Sequence, residues 1–105
     1  MLEENVIDQA TETDLVDIEE FAKRGEKPPP AKRYAFRIDK QRYEWPRRFI
    51  TGLELLKLAK KDPARCSIRQ KKQGQVKTIK PDETVDLGEP GIERFMTLCH
   101  DQQDG

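Results

Sequence analysis

Three kinds of group in this 105-residue chain could carry chemistry: the thiols of Cys66 and Cys99, the imidazole of His100, and a glycine carboxylate at Gly105. The glycine comes at the end of a polar run, His100, Asp101, Gln102, Gln103, Asp104 and Gly105. That run follows a strand-forming stretch, Ile92 to Cys99, which itself begins after the turn signal Pro90-Gly91. Glycine has no Cβ and adopts backbone angles closed to other residues, so it threads a narrow channel and leaves its carbonyl open to a nucleophile. Six extended residues at about 3.3 Å each reach roughly 20 Å. Taken alone, such a tail reads first as a frayed terminus. The two cysteines sit at strand positions and read as small hydrophobes; no sequence signal places a base beside either. Two cysteines and one histidine are too few for the usual four-ligand zinc site. Cysteines this far apart are also no disulfide framework. They are expected as reduced thiols of a cytosolic protein.

The elements that must present the tail can be read by period. Tyr34 to Ile38 alternates large apolar with small or charged residues, and Tyr43 and Trp45 resume the alternation after a turn at Asp39-Lys40. This is a hairpin. Ile50 to Lys61 carries the clearest helix signals. Thr51 and Glu54 have capping-box spacing, Ile50 and Leu55 form a hydrophobic staple, and Pro63 ends the segment. Arg65 to Lys71 and Val76 to Ile79 flank a Gln73-Gly74 turn and make a second hairpin. Val85 and Leu87 can drop into the core from the connection, and Ile92 to Cys99 is the last strand. The expected core is Tyr34, Phe36, Ile38, Leu53, Leu56, Ile68 and Phe95. In the last strand, alternation sends Phe95, Thr97 and Cys99 to one face and Ile92, Arg94, Met96 and Leu98 to the other. With Phe95 inside, Arg94, Met96 and Leu98 become a partner-binding surface.

Residues 1–30 read as an acidic, mostly disordered extension. Residues 1–22 hold eight acids and no Lys or Arg, leaving twenty bases against twelve acids, a net +8, in residues 23–105. Helix signals run over 11–25, where Leu15, Ile18 and Phe21 form a stripe suited to docking on a partner. Pro28, Pro29 and Pro30 make a stiff spacer that marks the domain boundary. Apolar residues are 34% and charged residues 38%, so the single domain at 31–99 has a small core. The bases are scattered without aromatic interleaving, which argues against nucleic acid. No apolar run approaches the roughly 18 residues of a membrane span, and the acidic N-terminus lacks a signal-peptide pattern. A soluble, cytoplasmic protein is expected, with no metal.

The order strand, strand, helix, strand, strand, strand suits one helix covering one face of a mixed sheet. Four segments carry a resemblance: YAFRIDKQRYEW at 34–45, ITGLELLKLA at 50–59, PDETVDLGEPGIERF at 81–95 and DQQDG at 101–105. In that order they resemble the bacterial multiubiquitin family, and IEEFAKRGEKPPP at 18–30 is similar to leaders in that family. The resemblance implies an α+β, ubiquitin-like β-grasp fold, with four to five strands, one helix and a flexible N-terminal extension. It implies a non-enzymatic protein modifier, activated at Gly105 and joined to target amines through an isopeptide bond. The implied partners are ubiquitin-activating-like and ubiquitin-conjugating-like enzymes, a deconjugating protease and target proteins. The implied cofactor requirement is none for this chain, with ATP used by the activating enzyme. His100 to Asp104 would face those enzymes. The sequence departs from ubiquitin's Gly-Gly ending, since Asp104 precedes Gly105. Two other functions fit the same tail: a sulfur carrier with a C-terminal thiocarboxylate, and a non-covalent adaptor.

Overall fold

A computed structural model describes residues 13–100. The described chain runs β1 (Thr13–Asp17), α1 (Ile18–Lys23), β2 (Ala31–Ile38), β3 (Gln41–Trp45), β4 (Phe49–Thr51), α2 (Gly52–Leu58), β5 (Cys66–Lys72), β6 (Gln75–Ile79), β7 (Thr84–Asp86) and β8 (Ile92–Cys99). β2 and β3 form the first hairpin and β5 and β6 the second, the latter closed by Gln73 and Gly74, both at positive φ. Two successive positive φ angles twist a two-residue turn in the sense that the strands require. β8 lies between β2 and β5, parallel to the first and antiparallel to the second. A last strand inserted centrally, beside a first strand that it parallels, makes this a ubiquitin-like β-grasp.

The helix α2 forms where the sequence places its cap. Thr51 Oγ1 accepts from the Glu54 N–H at 3.1 Å, and the Glu54 carboxylate accepts from the Thr51 N–H at 2.9 Å. Two orphan donors are thereby satisfied reciprocally. Ile50, Leu55 and Leu56 are buried, whereas Leu53 is only half-buried, so the inward stripe is rotated from the expected Leu53–Leu56 pair towards Leu55. The helix covers a core of Tyr34, Phe36, Ile38, Ile68 and Phe95, with the Phe36 and Phe95 rings edge to face at 5.6 Å. Val85 and Leu87 join it from the connection. A second, two-stranded sheet of β4 and β7 closes this side. There Arg48 grips Asp86 through two hydrogen bonds, which hold the Asp86 carboxyl below the ordinary carboxylate range.

Gly52 opens α2 at a close backbone approach. Its N–H donates to the Glu83 carbonyl at 3.1 Å, and a Cβ at this position would press into the backbone carbonyl of Lys80. Neither partner is a flexible side-chain end. Gly52→Ala should therefore cost about 1–3 kcal/mol through overpacking, although alanine is the better helix former. Urea unfolding checks this; an unchanged or raised midpoint would mean that the 80–83 loop yields freely.

The N-terminal segment departs from its expected form. Residues 13–17 are a strand, not the start of a helix over 11–25, and only residues 18–23 are α-helical. β1 pairs with β2 in parallel from Thr13↔Ala31 to Asp17↔Ala35. Tyr34 and Ala35 pair with β3 as well as β1, and Ile38 pairs with both Gln41 and Phe95. β1 and β8 therefore share one edge of β2, end to end. This gives the main sheet six strands among the described residues, against the four to five expected. Parallel neighbours need a crossover connection, and α1 with the Pro28–Pro30 loop supplies it. Pro28 is buried, Pro30 is exposed, and the Thr13 N–H donates to the Pro30 carbonyl, so the proline loop is tied to β1 and is not a spacer that separates it from the domain. Asp17 caps α1, and Val16 and Ile18 are buried in the common core. The helical reading failed because Leu15, Ile18 and Ala22 fit a helical period, while the edge that claims residues 13–17 lies in β2. Residues 1–12 are outside the described residues.

Candidate functional site

The site is the point where β8 leaves the sheet, together with the sheet face beside it. Two sets of contacts hold that exit. On the β2 side, Asp39, at a φ of 58°, turns its carboxylate towards β8. It accepts from the Thr97 N–H at 3.0 Å and from the Thr97 hydroxyl at 2.7 Å. Aspartate tolerates this left-handed conformation better than most residues, and here it ends one strand while pinning another. On the β5 side, Cys99 lies directly opposite Cys66, and the His100 N–H donates to the Arg65 carbonyl at 2.8 Å. That bond is the last backbone rung seen before Asp101.

Cys66 and Cys99 are joined by a disulfide, with Cα atoms 3.9 Å apart. The expectation of two reduced thiols is corrected here. The cysteines are distant in sequence, yet the β5–β8 register puts them face to face. The hydrogen bond from His100 to Arg65 marks Cys66 and Cys99 as a non-hydrogen-bonded pair, the kind in which side chains on neighbouring antiparallel strands approach most closely.

Arg94, Met96 and Leu98 come together on the sheet face away from α2, as alternation indicates. They lie opposite Lys71, Arg69 and Ser67, respectively, on β5, and directly opposite residues share a face. β6 adds Val76 opposite Lys71 and Thr78 opposite Arg69. Leu98 and Val76 are 45% and 48% exposed, which makes them the most open apolar side chains on this face. Arg69, Lys71 and Arg94 give the face its charge, and Lys71 is 3.6 Å from Glu93. Met96 and Leu98 form a small apolar strip along β8, and Arg69 and Lys71 on β5 separate it from Val76 on β6. Arg69, Lys71 and Val76 were missed as members, although strand alternation in both elements of the second hairpin carries the signal.

Ile92 departs from its expected side. It is buried, as is Phe95, three positions on. Lys72 pairs with Ile92 but Lys71 pairs with Arg94, so Glu93 is an extra residue on β8. A bulge of this kind reverses the parity of the strand, putting Ile92 and Phe95 on the same inner side. Without it, either Ile92 or the Met96–Leu98 strip would face the wrong way.

Leu15, Ile18 and Phe21 do not form an open docking stripe. Leu15 is half-buried in β1 and Ile18 is fully buried. Phe21 is half-buried against the core, with the Arg24 guanidinium 4.4 Å from its ring centre. Glu19 reaches Arg37 at 3.2 Å, which ties α1 to the sheet face opposite α2. Ala35 on that face is fully buried beneath it. Of the tail, His100 is described and exposed; Asp101, Gln102, Gln103, Asp104 and Gly105 lie outside the described residues. Among the described residues no group of three or more His, Cys, Asp or Glu side chains is placed to hold a metal ion, and no helix is long and apolar enough to cross a membrane.

Comparison with known families finds one that matches, multiubiquitin, over residues 34–99. The match begins within β2 and ends on Cys99, so it takes in both hairpins, α2 and the whole of β8. No curated protein and no solved structure matches the chain.

Proposed function

This chain belongs to the multiubiquitin family, and from that premise we propose that it is a ubiquitin-like protein modifier, activated at the carboxylate of Gly105. The observation that carries the reading is the exit of β8. A central strand, held on the β2 side as far as Thr97 and on the β5 side as far as His100, is followed in the sequence by a polar run ending in Gly105. The chemistry needs reach and a slim terminus from this chain and catalysis from its partners. The Gly105 carboxylate attacks ATP in a ubiquitin-activating-like enzyme, forming an acyl adenylate and releasing pyrophosphate. An enzyme thiol displaces AMP to form a thioester, which passes to a conjugating-like enzyme. A target amine then displaces that thiol to form the isopeptide bond, and a deconjugating protease hydrolyses it. Five extended residues beyond His100 reach about 17 Å, enough to enter a buried adenylation site while the domain stays outside. The partly exposed Met96 and Leu98, beside Arg69 and Arg94, support docking of the same enzymes, since apolar and charged groups side by side are common at an interface. The reaction draws on cytoplasmic ATP.

The test is ATP-dependent charging. The full chain, mixed with ATP and a ubiquitin-activating-type enzyme of the same organism, should form an adduct that thiols cleave. A stoichiometric mixture that yields no adduct, with the enzyme shown to be active, would contradict the proposal.

A further inference from the structure

We propose that two adjoining hollows beside Tyr34 form a binding site for a phosphoryl group, taken as free phosphate or carried on a ligand. The inference stands apart from the modifier reading. The hollows, of about 310 and 520 Å³, lie where three stretches of chain meet: 27–30 ahead of β2, the start of β2 itself, and 46–48 between β3 and β4. Pro30, Tyr34 and Arg48 line both. Two observations carry the proposal. First, four cations line the pair of hollows, Lys27, Lys32, Arg47 and Arg48, and no Asp or Glu does. Lys27 and Lys32 make no ion pair among the described residues. Arg47 has an exposed contact of 3.8 Å with Glu54, a kind of pair that is worth little. Arg48 donates from Nε and Nη2 to Asp86, which leaves Nη1 without an acceptor among the described residues. Second, Tyr34 is 2% exposed. Its hydroxyl oxygen accepts from the Ala31 N–H at 3.2 Å, while its own O–H has no acceptor among the described residues. A buried donor of this kind is rare in a folded protein and asks for a partner.

These groups are donors and cations that lack an acceptor. A phosphoryl group supplies three acceptor oxygens and close to two negative charges at neutral pH, and it accepts from several directions at once. The Tyr34 hydroxyl and Arg48 Nη1 meet it from the wall that the hollows share. Lys27 meets it from one hollow, and Lys32 with Arg47 from the other. A carboxylate offers two oxygens in one plane and a single charge, so it answers fewer of these donors. Hydrogen bonds to an ionised acceptor are about twice as strong as those between neutral groups, which favours the dianion further. Pro28, Pro29, Pro30 and Pro46 add walls without a side-chain donor or acceptor. Because the lining comes from separate stretches of chain, a bound phosphoryl group ties the crossover between β1 and β2 to the 46–48 connection. Trp45, the chain's one tryptophan, reports on the site, since the Arg47 guanidinium is 4.7 Å from its ring centre.

The experiment titrates the full chain with sodium phosphate near neutral pH, against sodium chloride and sodium acetate at the same ionic strength. Phosphate should give a saturable change in Trp45 emission, saturable amide shifts at Lys32, Tyr34 and Arg48, and a melting temperature that rises with its concentration, as binding to the folded state requires. The same response to chloride or acetate would overturn the site, because it marks screening or unspecific anion attraction. Tyr34→Phe keeps the ring and removes the donor, and should weaken phosphate binding about tenfold or more, the usual worth of a hydrogen bond to a charged group. Should this variant not fold, since Ala31 also loses its acceptor, the exposed pair K27Q/K32Q carries the test with a similar loss. The control K57Q/K61Q removes the same charge at the end of α2 and should bind phosphate within about twofold of the native chain. An equal loss in K27Q/K32Q and K57Q/K61Q, or none in K27Q/K32Q, would overturn the proposal. A Gly-phosphoserine-Gly peptide, tested beside its unphosphorylated form, separates the two sources of the group. Tighter binding than inorganic phosphate assigns the site to a phosphorylated side chain, and weaker binding assigns it to the free ion.

Discussion

Deleting Gly105 should abolish charging by the activating enzyme and leave the melting temperature unchanged. The two halves of that result come from different links. Stability resides in the core built on Phe36, Phe95, Ile68 and α2, and the described contacts of β8 end at His100. Nothing in that core depends on Gly105. Charging, by contrast, depends on a carboxylate whose neighbouring carbon carries no side chain. Deletion puts the carboxylate on Asp104, with a branched, charged side chain beside the reacting carbonyl and a reach shorter by about 3.3 Å. Replacing Gly105 by a bulky residue should have the same effect with the reach restored, which separates bulk from length. Adduct formation by the deletion variant at the native rate would contradict the assignment of Gly105.

Ile18→Ala should destabilise the whole domain by about 2–5 kcal/mol, the usual cost of a cavity at a buried large aliphatic side chain. Ile18 is 1% exposed and belongs to the same cluster as Phe36 and Phe95. Domains of this size are stabilised by roughly 5–15 kcal/mol in total, so one side chain removes a large share. A chain beginning at Ala31 should lose more still. It gives up Val16 and Ile18 together, strips β2 of a neighbour along Ala31–Ala35, and uncovers Ala35. Thermal melts of the three proteins check this. Equal melting temperatures would return residues 13–30 to the role of a separate docking extension.

The parts of the fold that were legible in the sequence are those fixed by neighbours in the chain. The Thr51–Glu54 capping box needs only residues three apart, and it starts α2 where the pattern places it. The hairpins follow from alternation interrupted by Asp39-Lys40 and Gln73-Gly74. The Met96–Leu98 strip follows from the same alternation once Phe95 is placed inside. The parts that were illegible are set by distant partners. β1 exists because β2 has a free edge, and no local period distinguishes it from the first turn of a helix. The bulge at Glu93, which turns Ile92 inward, appears only in the register against Lys71 and Lys72. Cys66 and Cys99 are 33 residues apart, and only the same register shows that they face each other.

The most direct measurement is the covalent remnant on a target. Trypsin cuts after Arg94, the last basic site before Gly105. Conjugates formed with ATP, the activating-type and conjugating-type enzymes and a lysine-bearing target should therefore yield target peptides in which a lysine carries FMTLCHDQQDG, linked through the Gly105 carbonyl. Recovery of the same peptide only in free form, or with sulfur in place of one carboxylate oxygen, would show a sulfur carrier or an unactivated chain and would contradict the assignment of this protein as a modifier.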